Sequence, residues 1–240
     1  LDGREGLRQR PMGPALDVLR TAGVQVSGGS LPLAVDPGNA RFPDPLLVAG
    51  NPTTQVASGA MMGAGLVASL QRRTLLDRVG LGRRRPERNV QVVSPTSRGY
   101  LEVTAQVMRA FGHEVEGQDH GSDVVYRVGP RSLRDGCYTV PADPSSRTFP
   151  RVLASLHGLS MAGTDRDGAA HPEWAVDQDV EAILGHTSKG PGGPLKLAGL
   201  ATRPDAVPAL AVLAATREFP VVLQGVGALR HKERDRFAAL

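Results

Sequence analysis

Apolar positions along this chain follow two rhythms, and each predicts an element. Residues 11–22 open on proline and carry Ala15, Leu16, Val18 and Leu19 at helical spacing, and Gly23 ends the run. Val24-Gln25-Val26 then alternates as a strand does, and residues 31–35 predict another short strand. Leu46-Leu47-Val48 predicts a third strand, followed by a Gly50-Asn51-Pro52 turn and a helix over 54–70. That helix is rich in small residues (Ala57, Ser58, Gly59, Ala60, Gly63, Ala64 and Gly65), which permit close backbone approach and predict burial. Further strands are expected at 90–93, around Glu114-Val115, and at 124–128, 137–140 and 221–223. Further helices are expected at 99–110, 145–156 (capped by Asp143 or Ser145), 175–184 and 205–216. The polar, Gly- and Asp-rich stretch 158–173 reads as a loop.

The alternation of helices and strands predicts an α/β fold. The run from Asp17 to Val26 is echoed from Ala105 to Val115, and Val180 to Gly185 repeats the helix and its glycine stop. Units that cannot each bury a core stack into a larger one, so small apolar helices are expected inside, with sheets outside.

Composition narrows the function. The chain has 240 residues, 40% of them apolar and 4% aromatic, so Val, Leu, Ala and Met must build the core. A formal charge of +4 suits a small anionic substrate without requiring nucleic acid. Arg72, Arg73, Arg83, Arg84, Arg85 and Arg88 form a basic patch with no interleaved aromatic on which bases would stack, so it reads as an exposed loop. Cys137 is the only cysteine, which excludes an intrachain disulfide and fits a reducing compartment. There is no zinc-ligand spacing, no signal-peptide pattern and no apolar run long enough to span a bilayer. The chain opens on Leu1-Asp2-Gly3 without an initiating Met, as a piece of a longer protein would.

The chemistry gathers near the end, in Leu229-Arg230-His231-Lys232-Glu233-Arg234-Asp235-Arg236. A mixed charge run is ordinarily a solvated, salt-bridged helix start. Lysine, however, occurs only at positions 189, 196 and 232, so Lys232 between charged neighbours stands out. Four further motifs accompany the run: Leu7-Arg8-Gln9-Arg10-Pro11-Met12-Gly13-Pro14, Gly50-Asn51-Pro52-Thr53-Thr54-Gln55, Ser97-Arg98-Gly99-Tyr100 and Pro204-Asp205. Asp143-Pro144-Ser145-Ser146 is another. In this order the six resemble the enolpyruvyl transferases, and among them the EPSP synthase family. The Thr-Thr-Gln loop is similar to that family's Ser-Ser-Gln, Ser97 to Tyr100 to its Ser-Lys-Pro-Tyr, and the charged run to its Lys-Glu-Ser/Thr-Asp-Arg.

The resemblance spans the chain but only about the middle half of a family member. The N-terminal Lys-Ser-x-x-x-Arg grip and the C-terminal Asp-His-Arg segment have no counterpart here. It implies transfer of the enolpyruvyl group of phosphoenolpyruvate to the 5-hydroxyl of shikimate 3-phosphate, without metal or organic cofactor, by a cytoplasmic monomer of the shikimate pathway that glyphosate would target. Joining two multiply charged anions requires their charges to be neutralised, and arginine forks do this for carboxylate and phosphate. By resemblance Arg10 and Arg236 bind phosphoenolpyruvate. Thr53, Thr54, Gln55 and Ser97 hold the shikimate phosphate, although plain helix capping explains such hydroxyls equally well. Tyr100 would cover the ring, or sit half-buried in the core. Asp205 would serve the substrate hydroxyl, Glu233 the enol methylene and Lys232 the oxygens between them. Asp205 is also placed to cap the helix that follows.

Gly199, Ala201, Ala228, Arg234 and Arg147 depart from the family pattern. They leave open a secondary-metabolism or UDP-sugar enolpyruvyl transferase, and a non-catalytic anion-binding relative. The implied architecture is repeated βαβαββ units in two lobes that close over the substrates. Residues 1–141 carry the phosphate and phosphoenolpyruvate contacts, residues 142–240 carry Asp205 and the charged run, and the boundary is expected near Pro141-Ala142.

Overall fold

The computed structural model describes residues 1–51, 53–70, 87–132, 138–140, 146–159, 177–186, 190–231 and 235–240. The chain divides into two compact units, Leu1–Tyr138 and Thr139–Leu240.

The first unit begins with a short helix α1 (Glu5–Arg8), helix α2 (Gly13–Thr21) and an antiparallel pair β1 (Gln25–Ser27) and β2 (Ala34–Asp36). Its main body runs β3 (Leu46–Ala49), α3 (Gln55–Leu70), β4 (Arg88–Val93), α4 (Arg98–Ala110), β5 (His113–His120) and β6 (Asp123–Arg131). That order is one βαβαββ run. The strands form a four-stranded sheet in the order β3-β4-β6-β5, with β3 parallel to β4 and the other pairs antiparallel. Alternation along β3 (Leu46 and Val48 buried, Leu47 exposed) turns one face of the sheet toward α3 and α4. Val90, Val92, Val115, Val124, Tyr126 and Val128 line that face, and Ala57, Met61, Ala64, Leu101, Ala105 and Met108 meet them from the helices. Full burial of a side chain such as Met61 or Leu101 stabilises by about 1.5–3 kcal/mol.

The two strand-helix repeats seen in the sequence have the same local cause. Gly23 (φ 78°) and Gly112 (φ 92°) end α2 and α4 in the left-handed region before β1 and β5. A Cβ at Gly112 would also stand 2.1 Å from the Ser132 carbonyl oxygen.

The second unit contains α5 (Thr148–Leu156), α6 (Asp177–Leu184), β7 (Leu195–Leu197), 3₁₀ turns Leu200–Thr202 and Pro204–Ala206, α7 (Val207–Ala215), β8 (Val221–Leu223), a 3₁₀ turn Gly227–His231 and α8 (Arg236–Ala239). β7 and β8 pair in parallel around α7, making a βαβ unit. α5 and α6 both pack on α7, and Val152, Val180, Ile183, Leu197, Leu200, Leu210, Leu213 and Leu229 form the core.

Several expectations need correction. Tyr138–Val140 is not a strand; Val140 is exposed there, and a strand needs a partner for its backbone groups. The helix expected from 145 begins at Thr148, because residues 146–147 form a turn; the caps Asp143 and Ser145 lie outside the described residues. The strand expected at 31–35 is confined to Ala34–Asp36. α3 is buried along only part of its circumference, with Met62, Leu66 and Leu70 at 56%, 59% and 64% exposure. The strand β7 has no counterpart in the expectations, and most of the loop at 158–173 lies outside the described residues. Among the described residues no helix is long and apolar enough to cross a membrane.

Candidate functional site

Two clusters hold most of the predicted site residues that the structure describes, one in each unit. In the first, the parallel strands β3 and β4 end side by side, so the loops that follow them meet at one end of the sheet. Gly50 N–H donates to the Val93 carbonyl at 2.8 Å, and the Gly50 carbonyl accepts from Thr96 N at 3.1 Å and Thr96 Oγ1 at 3.2 Å. Glycine is required here: a Cβ would fall 2.5 Å from Pro95 Cα and 2.9 Å from Val92 Cγ1. Each loop leads directly into a helix, α3 or α4. Two helix N-termini therefore open beside each other, each with backbone N–H groups lacking intrahelical partners.

Thr53, Thr54, Gln55 and Ser97 are brought together at this point. Thr54 is 3% exposed, and its Oγ1 donates to the Ser97 carbonyl at 3.3 Å, tying one loop to the other. Thr53 Oγ1 accepts from Gln55 N at 3.3 Å, a local turn that starts α3. Ser97 is buried and occupies the N-cap position of α4 without a side-chain capping bond. Gln55 is exposed and Tyr100 half-buried in the first turn of α4. One turn further on, Thr104 Oγ1 donates to Ser58 Oγ at 2.8 Å and holds the two helices together.

The arginines of the opening motif divide their work. Arg8 forks Asp2 through Nε (2.9 Å) and Nη2 (2.6 Å), which, with the Gly3 N–H, holds the Asp2 carboxyl below the usual range. Arg10 is half-buried just after α1.

In the second unit the geometry recurs. β7 and β8 end side by side, with Gln224 N donating to the Leu197 carbonyl at 2.9 Å. The loop after β7 carries Asp205, and the loop after β8 leads to Arg236. Arg236 Nη1 donates to Asp205 Oδ1 at 2.8 Å, with both side chains about one-third exposed at 32% and 33%. Asp205 is not at the N-cap position of the helix after it. It lies inside the Pro204–Ala206 turn, and Ala206 is the N-cap of α7, with no side-chain bond. Asp235 is the residue that caps: its Oδ1 accepts from Ala238 N at 3.0 Å and starts α8. Arg230 stacks over the Phe237 ring at 4.1 Å. Lys232 and Glu233 lie outside the described residues.

An ion pair that the sequence did not signal supports the Asp205 turn. Arg203 Nη2 lies 3.1 Å from Asp179 Oδ1 and 3.0 Å from Oδ2, with side chains only 18% and 9% exposed. Burial pushes the Asp179 carboxyl up, and the Arg203 guanidinium opposes that shift. The partners stand 24 positions apart on different elements, and nothing in local spacing joins them.

The EPSP synthase (3-phosphoshikimate 1-carboxyvinyltransferase) family model matches residues 1–240. The chain belongs to the EPSP synthase family. It is 32% identical over 246 residues to a 3-phosphoshikimate 1-carboxyvinyltransferase of Rhizobium etli strain CIAT 652, covering all of this chain and 52% of that protein. Proteins of the same name from Pseudomonas syringae pv. syringae and Pyrococcus abyssi are 30% and 28% identical, again over the whole chain and over 52% and 54% of their own lengths. The chain thus spans about half the length of the curated relatives it matches.

Proposed function

We propose that this chain carries substrate-binding and acid–base residues of an enolpyruvyl transferase acting on phosphoenolpyruvate and shikimate 3-phosphate. The observation that supports it most is the paired-loop cluster of Thr53, Thr54, Gln55 and Ser97. Two neighbouring helix N-termini with hydroxyls between them suit a phosphate monoester, because oriented N–H groups and the helix dipoles favour an anion there. The name that the relatives carry, 3-phosphoshikimate 1-carboxyvinyltransferase, supports shikimate 3-phosphate as that monoester.

In this reading the substrate hydroxyl adds to C2 of the enol while the methylene carbon gains a proton. Loss of a methyl proton and of phosphate then regenerates the double bond. Asp205 serves the hydroxyl, Glu233 the methylene and Lys232 the oxygens between them. Arg236, paired with Asp205 at 2.8 Å before substrate arrives, exchanges that partner for the carboxylate or phosphate of phosphoenolpyruvate, and Arg10 supplies the second fork. The same proposal includes repetition of the βαβαββ run, lobes at 1–141 and 142–240, action as a monomer and residence in the cytoplasm.

The test is ligand-induced stabilisation of the purified protein. Shikimate 3-phosphate at a hundred times its dissociation constant should add about 2.7 kcal/mol to stability, and unphosphorylated shikimate far less. A melting temperature unmoved by millimolar shikimate 3-phosphate would refute the assignment.

A further inference from the structure

The loop 94–97, which brings Ser97 to the cluster, contains a backbone anomaly. Among the described residues Ser94 is the only non-glycine with positive φ, at 46°. Serine avoids this region because its Cβ crowds the backbone, so something must hold it there. The holder comes from 29 residues further along the chain, at the start of β6: Asp123 Oδ1 accepts from Ser94 N at 3.1 Å. The same carboxylate is fixed on its other sides. Oδ2 accepts from Gln91 Nε2 at 3.0 Å, and Oδ1 also accepts from Ser122 Oγ at 3.1 Å. These bonds keep the Asp123 carboxyl below its ordinary range, with the Gln91 amide the largest cause and the Ser94 N–H next. The tip of the β5–β6 hairpin grips the far side of the loop as well. Arg98, the first residue of α4, donates to Asp119 and, at 3.2 Å, to the Ser122 carbonyl.

We propose that Asp123 is a positioning residue for phosphate binding: by accepting the Ser94 N–H it holds loop 94–97 in the bend that sets Ser97 against Thr54. Asp123 touches no substrate in this scheme. It acts through Ser94, the next residue Pro95 packs on Gly50, and Thr96 and Ser97 bond to Gly50 and Thr54. The proposal rests on the reading of that cluster as the phosphate site.

The experiment measures shikimate 3-phosphate affinity by calorimetry, with melting temperature recorded for every variant. Asp123→Ala should weaken binding about tenfold, equivalent to about 1.4 kcal/mol, with the protein still folded. Asp123→Asn should bind within about twofold of wild type, since its amide oxygen still accepts from Ser94 and Gln91 can turn its own amide to match. Ser94→Gly introduced into Asp123→Ala should restore most of the loss, because glycine adopts positive φ at no steric cost. Affinity unchanged in Asp123→Ala, or no recovery in the double variant, overturns the proposal while leaving the phosphate site standing. A wild-type protein without affinity overturns the phosphate site and this proposal together.

Discussion

Gly50→Ala is a sharp test of how the hydroxyl cluster is built. The added methyl would lie 2.5 Å from Pro95 Cα, 2.9 Å from Pro95 N and 2.9 Å from Val92 Cγ1. Two of those three atoms are backbone, so no rotamer change relieves the clash. Pro95 cannot adjust φ freely, and its neighbour Ser94 is already held at positive φ. The loops after β3 and β4 must therefore separate, straining the bonds of Gly50 to Val93 and Thr96. Overpacking of a tight site costs about 1–3 kcal/mol, and backbone contacts put this case at the upper end, roughly 2–3 kcal/mol.

At this chain length that corresponds to a fall of about 4–12 °C in melting temperature, read by scanning calorimetry. Shikimate 3-phosphate affinity should fall with it, since the hydroxyl cluster depends on the two loops staying in register. Gly59→Ala is the internal control. Gly59 lies in α3 with nothing within 4 Å of the added Cβ, so alanine there should stabilise by about 0.4–1 kcal/mol. A Gly50→Ala protein within about 0.5 kcal/mol of wild type and with undiminished affinity would show that the loop contact is not tight, and the account of the cluster would fail.

Two more outcomes follow from the same geometry. Thr54→Val removes the donor to the Ser97 carbonyl at nearly constant shape and should cost about 0.5–1.5 kcal/mol in urea unfolding; a variant as stable as wild type would sink the loop tie. A double-mutant cycle between Asp205→Asn and Arg236→Gln should give a coupling of at most about 1 kcal/mol, as expected for a pair one-third exposed; several kcal/mol would mean that Arg236 cannot readily leave Asp205 for a substrate.

Much of the fold was legible because it depends on local periodicity. The strand at 46–49, the helix at 55–70, the helix at 98–110 and the strand at 221–223 follow directly from apolar spacing and from the glycines and prolines that end them. The strand Leu195–Leu197, directly after a glycine- and proline-rich turn, was not read from the sequence. The site divides in the same way. Thr53, Thr54, Gln55 and Ser97 were recognisable as motif residues, but the distinction between them was not. Thr54 uses its proton on Ser97, 43 positions away, while Thr53 serves its own helix start. Asp205 read naturally as a cap because a helix follows it. The structure pairs its carboxylate with Arg236, 31 positions on, and places Ala206 at the N-cap position. Asp123 and Asp179 carried no signal at all, since an isolated carboxylate acquires a role only when the chain returns to it.

What the sequence could not display is that both clusters arise from one arrangement. In each unit a strand, a helix and a parallel neighbouring strand place two loops at the same sheet end: β3 with β4, and β7 with β8. Parallel pairing forces this, because both chains leave the sheet in the same direction and must turn there. In each unit a glycine sits where one loop backs onto the other, Gly50 against Pro95 and Gly225 against Ala201, whose N would lie 3.2 Å from an added Cβ. Close backbone packing holds the two loops of each unit together at that end. In the first unit the groups at that end are the buried Thr54 and Ser97, the half-buried Thr53 and the exposed Gln55. In the second they are a carboxylate and a guanidinium paired at 2.8 Å, Asp205 and Arg236. The same backbone plan thus carries different side chains in the two units.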